Sequence, residues 1–178
     1  MQALVLGHRQ GLNQALEQLG IPYFLVTNHE IKFPPKGASL LQLDKYPLTP
    51  GELESFSERL SRFNFTPTHV IAATEAGVLP ATYLRRLFNC RISKHSVIRK
   101  CALKSEMKKY LQEFDVPMTP FVLSSKTKNL DEISNAIGFP FVAKEINNSG
   151  GRGIVFVNQP SDFIINKKSS YIFEKFID

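Results

Sequence analysis

The chain has 178 residues, of which 43% are hydrophobic and 21% are charged, a balance typical of a soluble globular protein. The net charge of +6 could serve an anionic ligand, but no aromatic residues are interleaved for base stacking, so we expect no nucleic-acid partner. We find no signal peptide, no membrane-spanning run and no cysteine framework, which favours a reducing cytoplasm without a membrane partner.

The first half of the chain alternates short apolar runs with segments of helical spacing. The runs predict strands at residues 2–6, 21–26, 39–43 and 69–73. The helical segments lie at residues 10–19, 49–63 and 77–88. Thr49 is the expected cap of the second helix, with Pro50 at its first position. This alternation predicts a parallel, doubly wound sheet.

The composition shifts near residue 95, where we place a boundary between domains 1–95 and 96–178. A strong apolar stripe predicts one long helix over residues 96–114, ended by Pro117. The remaining predicted elements are strands at 119–123, 139–146, 154–157 and 171–177, and short helices at 129–137 and 160–165. The second segment is therefore expected to be α+β with a small sheet.

A glycine-rich loop separates two of these apolar strands. Gly150, Gly151 and Gly153 form the loop, and Lys144 lies near the end of the strand before it. This pattern predicts a β-hairpin with a mobile tip. Backbone N–H groups at such a tip can surround a phosphate, which a nearby lysine can neutralise. The pair suggests a nucleoside triphosphate site, although no Gly-Lys-Ser/Thr follows and the loop is not a P-loop.

The order of these motifs resembles the ATP-grasp superfamily, which includes biotin carboxylase and many carboxylate–amine ligases. The similar features are a helix carrying Lys104, Asp-Val-Pro at 115–117, Gly-Phe-Pro-Phe-Val-Ala-Lys at 138–144, the glycine turn, and Tyr-Ile-Phe-Glu-Lys-Phe-Ile at 171–177. The resemblance implies an α/β fold, with an N-terminal parallel-sheet pre-ATP-grasp domain of Rossmann type. The α+β N-terminal lobe of an ATP-grasp domain would follow it.

The resemblance also implies nucleotide-binding roles for particular residues. Lys104 and Lys144 would match the two nucleotide lysines, although Lys100, Lys104 and Lys108 by themselves recur as on a solvated helix face. The loop 148–153, with Gly150, Gly151 and Gly153, would match the flap over the phosphates, and Arg152 could equally reach a phosphate or solvent. The adenine would be read at a hinge formed by Glu174, Lys175 and Ile177.

The family's catalytic and Mg²⁺-binding residues would lie beyond residue 178, so we expect no catalytic and no metal residue in this chain. ATP and Mg²⁺ are the implied cofactors. The implied function is that of the N-terminal fragment of an ATP-dependent carboxylate–amine ligase acting through an acyl-phosphate on small-molecule acids and amines.

Several alternatives remain open at this point. The chain could be a short nucleotide-binding protein without catalysis, a biotin carboxylase-like fragment or a purely structural module. A half-built cleft could pair with a separate C-terminal half or form a homodimer.

Overall fold

A computed structural model of the protein describes residues 1–146, 148, 150–151 and 153–177. The chain divides into two units, Met1–Ile98 and Arg99–Asp178. Among the described residues, no helix combines the length and apolar character needed to cross a membrane.

The first unit is built on a parallel sheet with the strand order β3-β2-β1-β4. Its strands and helices, in chain order, are β1 (Ala3–Leu6), α1 (Gln10–Gln18), β2 (Tyr23–Thr27), β3 (Ala38–Gln42), α2 (Pro50–Ser61), β4 (His69–Ala72), a 3-10 turn (Glu75–Gly77) and α3 (Val78–Leu87). The predicted alternation of strands and helices, and the parallel sheet that it implies, are confirmed.

Both faces of this sheet are covered by helices, because successive side chains of a strand point to opposite sides. On one side, Leu4 of β1 shares a buried cluster with Phe56 of α2 and Leu84 of α3. On the other side, Val5 shares a cluster with Leu16 of α1. The two central strands, β1 and β2, are therefore buried along their whole length, as expected of a doubly wound sheet.

The predicted cap of α2 is present as a reciprocal capping box. The Thr49 hydroxyl accepts a hydrogen bond from the Glu52 backbone N–H at 3.4 Å, and the Glu52 carboxylate accepts one from the Thr49 N–H at 3.0 Å. Two N–H groups that the helix leaves unpaired are satisfied in this way. The helix therefore begins where Pro50 and its neighbours predict.

The second unit contains an antiparallel sheet with the strand order β5-β8-β6-β7 among its described residues. Its strands and helices are α5 (Lys104–Gln112), β5 (Phe121–Leu123), α6 (Leu130–Ile137), β6 (Phe141–Glu145), β7 (Ile154–Val157), a 3-10 turn (Pro160–Asp162) and β8 (Tyr171–Lys175). The pairing of β6 with β7 confirms the predicted hairpin around the glycine loop.

The single long helix predicted over residues 96–114 is wrong. Two helices occupy this stretch, α4 (His95–Ala102) and α5, and Leu103 between them has an extended backbone with φ −101° and ψ 113°. The apolar stripe behind the prediction begins only at the break, so it describes α5 and its ends and carries no information on residues 96–102. Its members are Leu103, Met107, Tyr110, Leu111 and Phe114. The break makes Lys104 the first residue of α5.

The two faces of the second sheet differ in their surroundings, because only one of them packs against α6. Phe141, Ala143 and Phe173 share a buried cluster with Ile133 and Ile137 of α6. The alternate positions of the same strands point to the opposite face, where Lys144 of β6 and Glu174 of β8 lie. The last strand ends at Lys175, two residues earlier than predicted, and the predicted helix at 160–165 is a single 3-10 turn.

We predict that Gly7→Ala destabilises the first unit by about 1–3 kcal/mol. Gly7, directly after β1, has φ +91°, and a Cβ there would overlap the side chain of Thr74 after β4. Urea unfolding measures the change. Gly11→Ala is the matched control, because nothing lies within 4 Å of a Cβ at Gly11 and the new residue sits in α1. We expect that control to stabilise by about 0.5–1 kcal/mol, and equal effects at both positions would contradict the argument.

A second prediction concerns pH. The Lys45 ammonium, 2.5 Å from the Glu52 carboxylate, and the N–H groups of Leu48 and Thr49 lower the pKa of Glu52 from 4.5 to about 2. Because folding lowers this pKa, the stability it supplies is complete above about pH 4.5 and is lost as the pH falls toward 2. We expect Glu52→Gln to flatten the pH dependence of the free energy of unfolding in that window.

The control for this pH prediction is Glu54→Gln, which changes an exposed carboxylate on the same helix. Urea unfolding of the three proteins at several pH values below 5 gives the comparison. If the free energy of unfolding of Glu52→Gln changed with pH as steeply as that of the wild type, Glu52 would not be the source of the pH dependence.

Candidate functional site

The glycine loop connects β6 and β7, and its glycines have left-handed backbone conformations that residues with a side chain rarely adopt. Gly150, Gly151 and Gly153 have φ of +65°, +77° and +69°. A Cβ at Gly153 would lie 2.7 Å from the Asn148 amide nitrogen and 2.9 Å from a Glu145 carboxylate oxygen. Glycine is therefore required for this close approach as well as for the left-handed conformation. Arg152, for which phosphate and solvent were equally open, lies outside the described residues.

Lys104 lies against this loop. Its ammonium donates a hydrogen bond to the backbone carbonyl of Asn148 at 2.5 Å. The two residues are 44 positions apart in sequence, and the start of α5 is thus brought to the hairpin tip. The structure therefore places Lys104 beside the glycine loop, and its role as a nucleotide lysine stays a prediction.

Lys144 and Glu174 face each other on the sheet side that α6 does not cover. Lys144 pairs with Ile172 and Val142 pairs with Glu174, so the lysine and the carboxylate are diagonal neighbours on one face. The Lys144 ammonium lies 2.5 Å from Oε2 of Glu174. The Glu174 side chain is 10% exposed and that of Lys144 is 31% exposed. A ligand can therefore reach the lysine more easily than the carboxylate.

Lys108 is a site residue that the sequence reasoning missed. It is 9% exposed, and its ammonium lies 3.5 Å from Oε1 of Glu174. The same ammonium donates to the Thr119 hydroxyl at 2.9 Å and stands 5.5 Å from the centroid of the Phe121 ring. The recurrence of lysine at positions 100, 104 and 108 by itself indicates a solvated helix face, and the burial of Lys108 departs from that pattern. The spacing of four from Lys104 was the available signal, because it places both lysines on one side of α5.

The remaining predicted hinge residues lie at the end of β8. Lys175 donates from its backbone N–H to Pro120 at 3.0 Å and from its ammonium to the carbonyl of Phe139 at 2.8 Å. Ile177 follows the strand and is 67% exposed. The ammonium of Lys175 is thus engaged by the protein backbone, while the backbone of this segment borders the site.

A cavity of about 320 Å³ lies beside Lys144, Glu174 and the end of β8. Its lining combines the charged side chains of Lys144, Glu174 and Lys175 with several large apolar ones. The rings of Phe156 and Phe176 meet edge to face with centroids 5.8 Å apart at its apolar side. The lining residues are Thr119, Val142, Lys144, Ile154, Phe156, Glu174, Lys175, Phe176 and Ile177. This shape suits a ligand with a flat apolar part and an anionic part.

A larger cavity of about 820 Å³ lies between α5, β5 and α6 of the same unit. None of the predicted site residues lines it. We therefore place the candidate site in the smaller cavity, where the charged groups converge.

The described residues contain no group of three or more histidine, cysteine, aspartate or glutamate side chains that could hold a metal ion. Residues 1–146, 148, 150–151 and 153–177 therefore supply no such carboxylate-rich group for Mg²⁺ by themselves.

No protein-family model matches the sequence, and no curated protein matches it either. Solved structures do match. The L-amino acid ligase from Bacillus licheniformis is 16% identical with a TM-score of 0.69, and the match covers 99% of this chain and 44% of that one. N5-carboxyaminoimidazole synthetase from Staphylococcus aureus, complexed with ADP, is 17% identical with a TM-score of 0.73, covering 99% and 48%.

Pyruvate carboxylase from Rhizobium etli is 16% identical with a TM-score of 0.67, and the match covers 99% of this chain and 18% of that one. The chain spans about half the length of the two ligases. At such identities the similarity concerns the fold, and it extends over both units of this protein. The chain therefore has the fold of the N-terminal part of the ATP-grasp ligases.

Proposed function

We propose that this protein binds ATP in the cavity beside the glycine loop, as the nucleotide-binding part of an ATP-dependent ligase. The observation that carries the proposal is that Lys144 lines a cavity with large apolar side chains, at the strand that leads into the glycine loop. Lys104 is hydrogen-bonded to that same loop, at the carbonyl of Asn148. A nucleoside triphosphate has a flat base that suits the apolar lining and a polyanionic chain that suits the lysines. The ADP complex of a ligase with the same fold supports this choice of ligand.

Each part of the site has a separate task in this proposal. The ammonium groups of Lys104 and Lys144 neutralise phosphate oxygens, and the N–H groups of the glycine loop donate hydrogen bonds to them. The base enters between Ile154, Phe156 and the end of β8. There the backbone near Lys175 and Ile177 reads its rim, and Glu174 lies within the same cavity.

The proposed reaction is that of a carboxylate–amine ligase in the cytoplasm. A carboxylate oxygen of the first substrate attacks the γ-phosphorus of ATP, which gives an acyl-phosphate and ADP. An amine nitrogen then attacks the acyl carbon, the C–O bond to phosphate breaks, and inorganic phosphate leaves as the carbon–nitrogen bond forms. The lysines of this chain would offset negative charge on the transferred group, and Mg²⁺ would supply further charge compensation when bound.

The first test is stabilisation by ADP. A ligand at one hundred times its Kd stabilises the folded state by about 2.7 kcal/mol, which thermal unfolding detects as a rise in Tm. We expect Lys144→Ala to lose most of this rise, because it removes an ammonium that would contact phosphate. Lys168→Ala, an exposed lysine of the same unit, should keep it. An unchanged Tm of the wild type with millimolar ADP and ATP would contradict the proposed function.

The second test separates Lys104 from its neighbour Lys100. A charge-assisted contact contributes about 1.5–3 kcal/mol, so Lys104→Met should weaken ADP binding by roughly tenfold to one hundredfold. The Lys100 ammonium instead stands 3.4 Å from the centroid of the Tyr110 ring. Lys100→Met should therefore leave the Kd for ADP within about twofold. Isothermal titration calorimetry gives both values, and the reverse order would assign the contact to Lys100.

A further inference from the structure

Glu174 has a separate lysine for each of its carboxylate oxygens. Lys144 lies 2.5 Å from Oε2, and Lys108 lies 3.5 Å from Oε1. The side chains of Glu174 and Lys108 are 10% and 11% exposed, whereas that of Lys144 is 31% exposed. The carboxylate is therefore shared between an inner lysine, Lys108, and an outer one, Lys144.

Binding of a phosphate by Lys144 would disturb this arrangement. The ammonium that now lies against Oε2 would have to turn toward the ligand, and one oxygen of Glu174 would lose its partner. A buried carboxylate without a compensating charge is unfavourable, since its hydration has already been lost. With Lys144 as its sole partner, Glu174 would hold that lysine and oppose phosphate binding.

Lys108 is placed to remove this conflict. Its ammonium is fixed by the hydrogen bond to Thr119 at 2.9 Å and by the Phe121 ring beneath it. These contacts join Lys108 of α5 to Thr119 and Phe121, at the start of β5, and they do not involve Lys144. The inner lysine can thus stay with Glu174 whether or not the outer lysine is engaged there.

We propose that Lys108 is a positioning residue that keeps Glu174 compensated, so that Lys144 is free to turn to the phosphates of the nucleotide. This inference rests on the proposed function and assigns Lys108 no contact with the ligand. Its distinctive consequence is a coupling between positions 108 and 174. Loss of the Lys108 charge should harm binding only while Glu174 carries a negative charge.

The experiment is a double-mutant cycle on the 178-residue chain, with ADP as the probe and calorimetry as the measurement. Lys108→Met should weaken ADP binding by about tenfold, because Lys144 is then held by Glu174. In the Lys108→Met/Glu174→Gln double variant, residue 174 carries no negative charge and no longer holds the Lys144 ammonium. We expect its Kd to return to within about threefold of that of Glu174→Gln alone. Lys109→Met, the same substitution at the exposed neighbour, should bind ADP as the wild type does.

The possible outcomes are distinct. Wild-type affinity in Lys108→Met would overturn the inference while leaving nucleotide binding intact. A tenfold loss that Glu174→Gln does not relieve would also overturn it, since the role of Lys108 would then be structural. A wild-type chain that binds no ADP would overturn the proposed function, and the inference with it.

Circular dichroism would reveal whether Lys108→Met folds. A second variant tests the same proposal if it does not. Thr119→Val removes the hydrogen bond that fixes the inner lysine and leaves its charge in place. It should weaken ADP binding by about threefold, and Glu174→Gln should again relieve the loss. Wild-type binding by a folded Thr119→Val protein would count against the proposed positioning.

Discussion

A buried carboxylate on one face of a sheet is the constraint on which the candidate site depends. Glu174 is 10% exposed, and a negative charge so placed requires compensation within the protein. Two lysines supply it, one from the neighbouring strand β6 and one from helix α5. The requirement ties together elements that are far apart in sequence. It also leaves one ammonium at the edge of a cavity, where an anionic ligand can compete for it.

The alternation of side chains along β6 and β8 makes this arrangement compatible with a stable unit. Phe141, Ala143 and Phe173 are buried against α6, so one face of the sheet forms the core. Lys144 and Glu174 occupy alternate positions and point to the other face. The same two strands thus stabilise the fold and present the charged groups, and a shift of register by one residue would exchange core and site.

Local patterns predicted much of the fold and part of the site. The capping box at Thr49 and the glycine hairpin after Lys144 rest on contacts between residues close in sequence, and both are present in the structure. The break at Leu103 was not predicted, because the apolar stripe that indicated a helix begins at Leu103 itself and was extended back to residue 96. Lys108 was missed because a lysine four residues from another has the same pattern on a solvated face as on a buried one. The binding roles of Lys104, Lys144, the loop glycines, Glu174, Lys175 and Ile177 remain predictions.

Residue type and spacing over a few positions were enough to predict the alternation of strands and helices, the glycine loop and its lysine, and the order of motifs that resembles the ATP-grasp ligases. The pairing of charged groups required the folded chain. Lys144 and Glu174 are 30 residues apart, and Lys104 reaches a loop 44 residues away. Burial of Lys108 likewise follows from the packing of α5 beside β5 and β8, because strand register and helix placement set those distances and no local pattern encodes them.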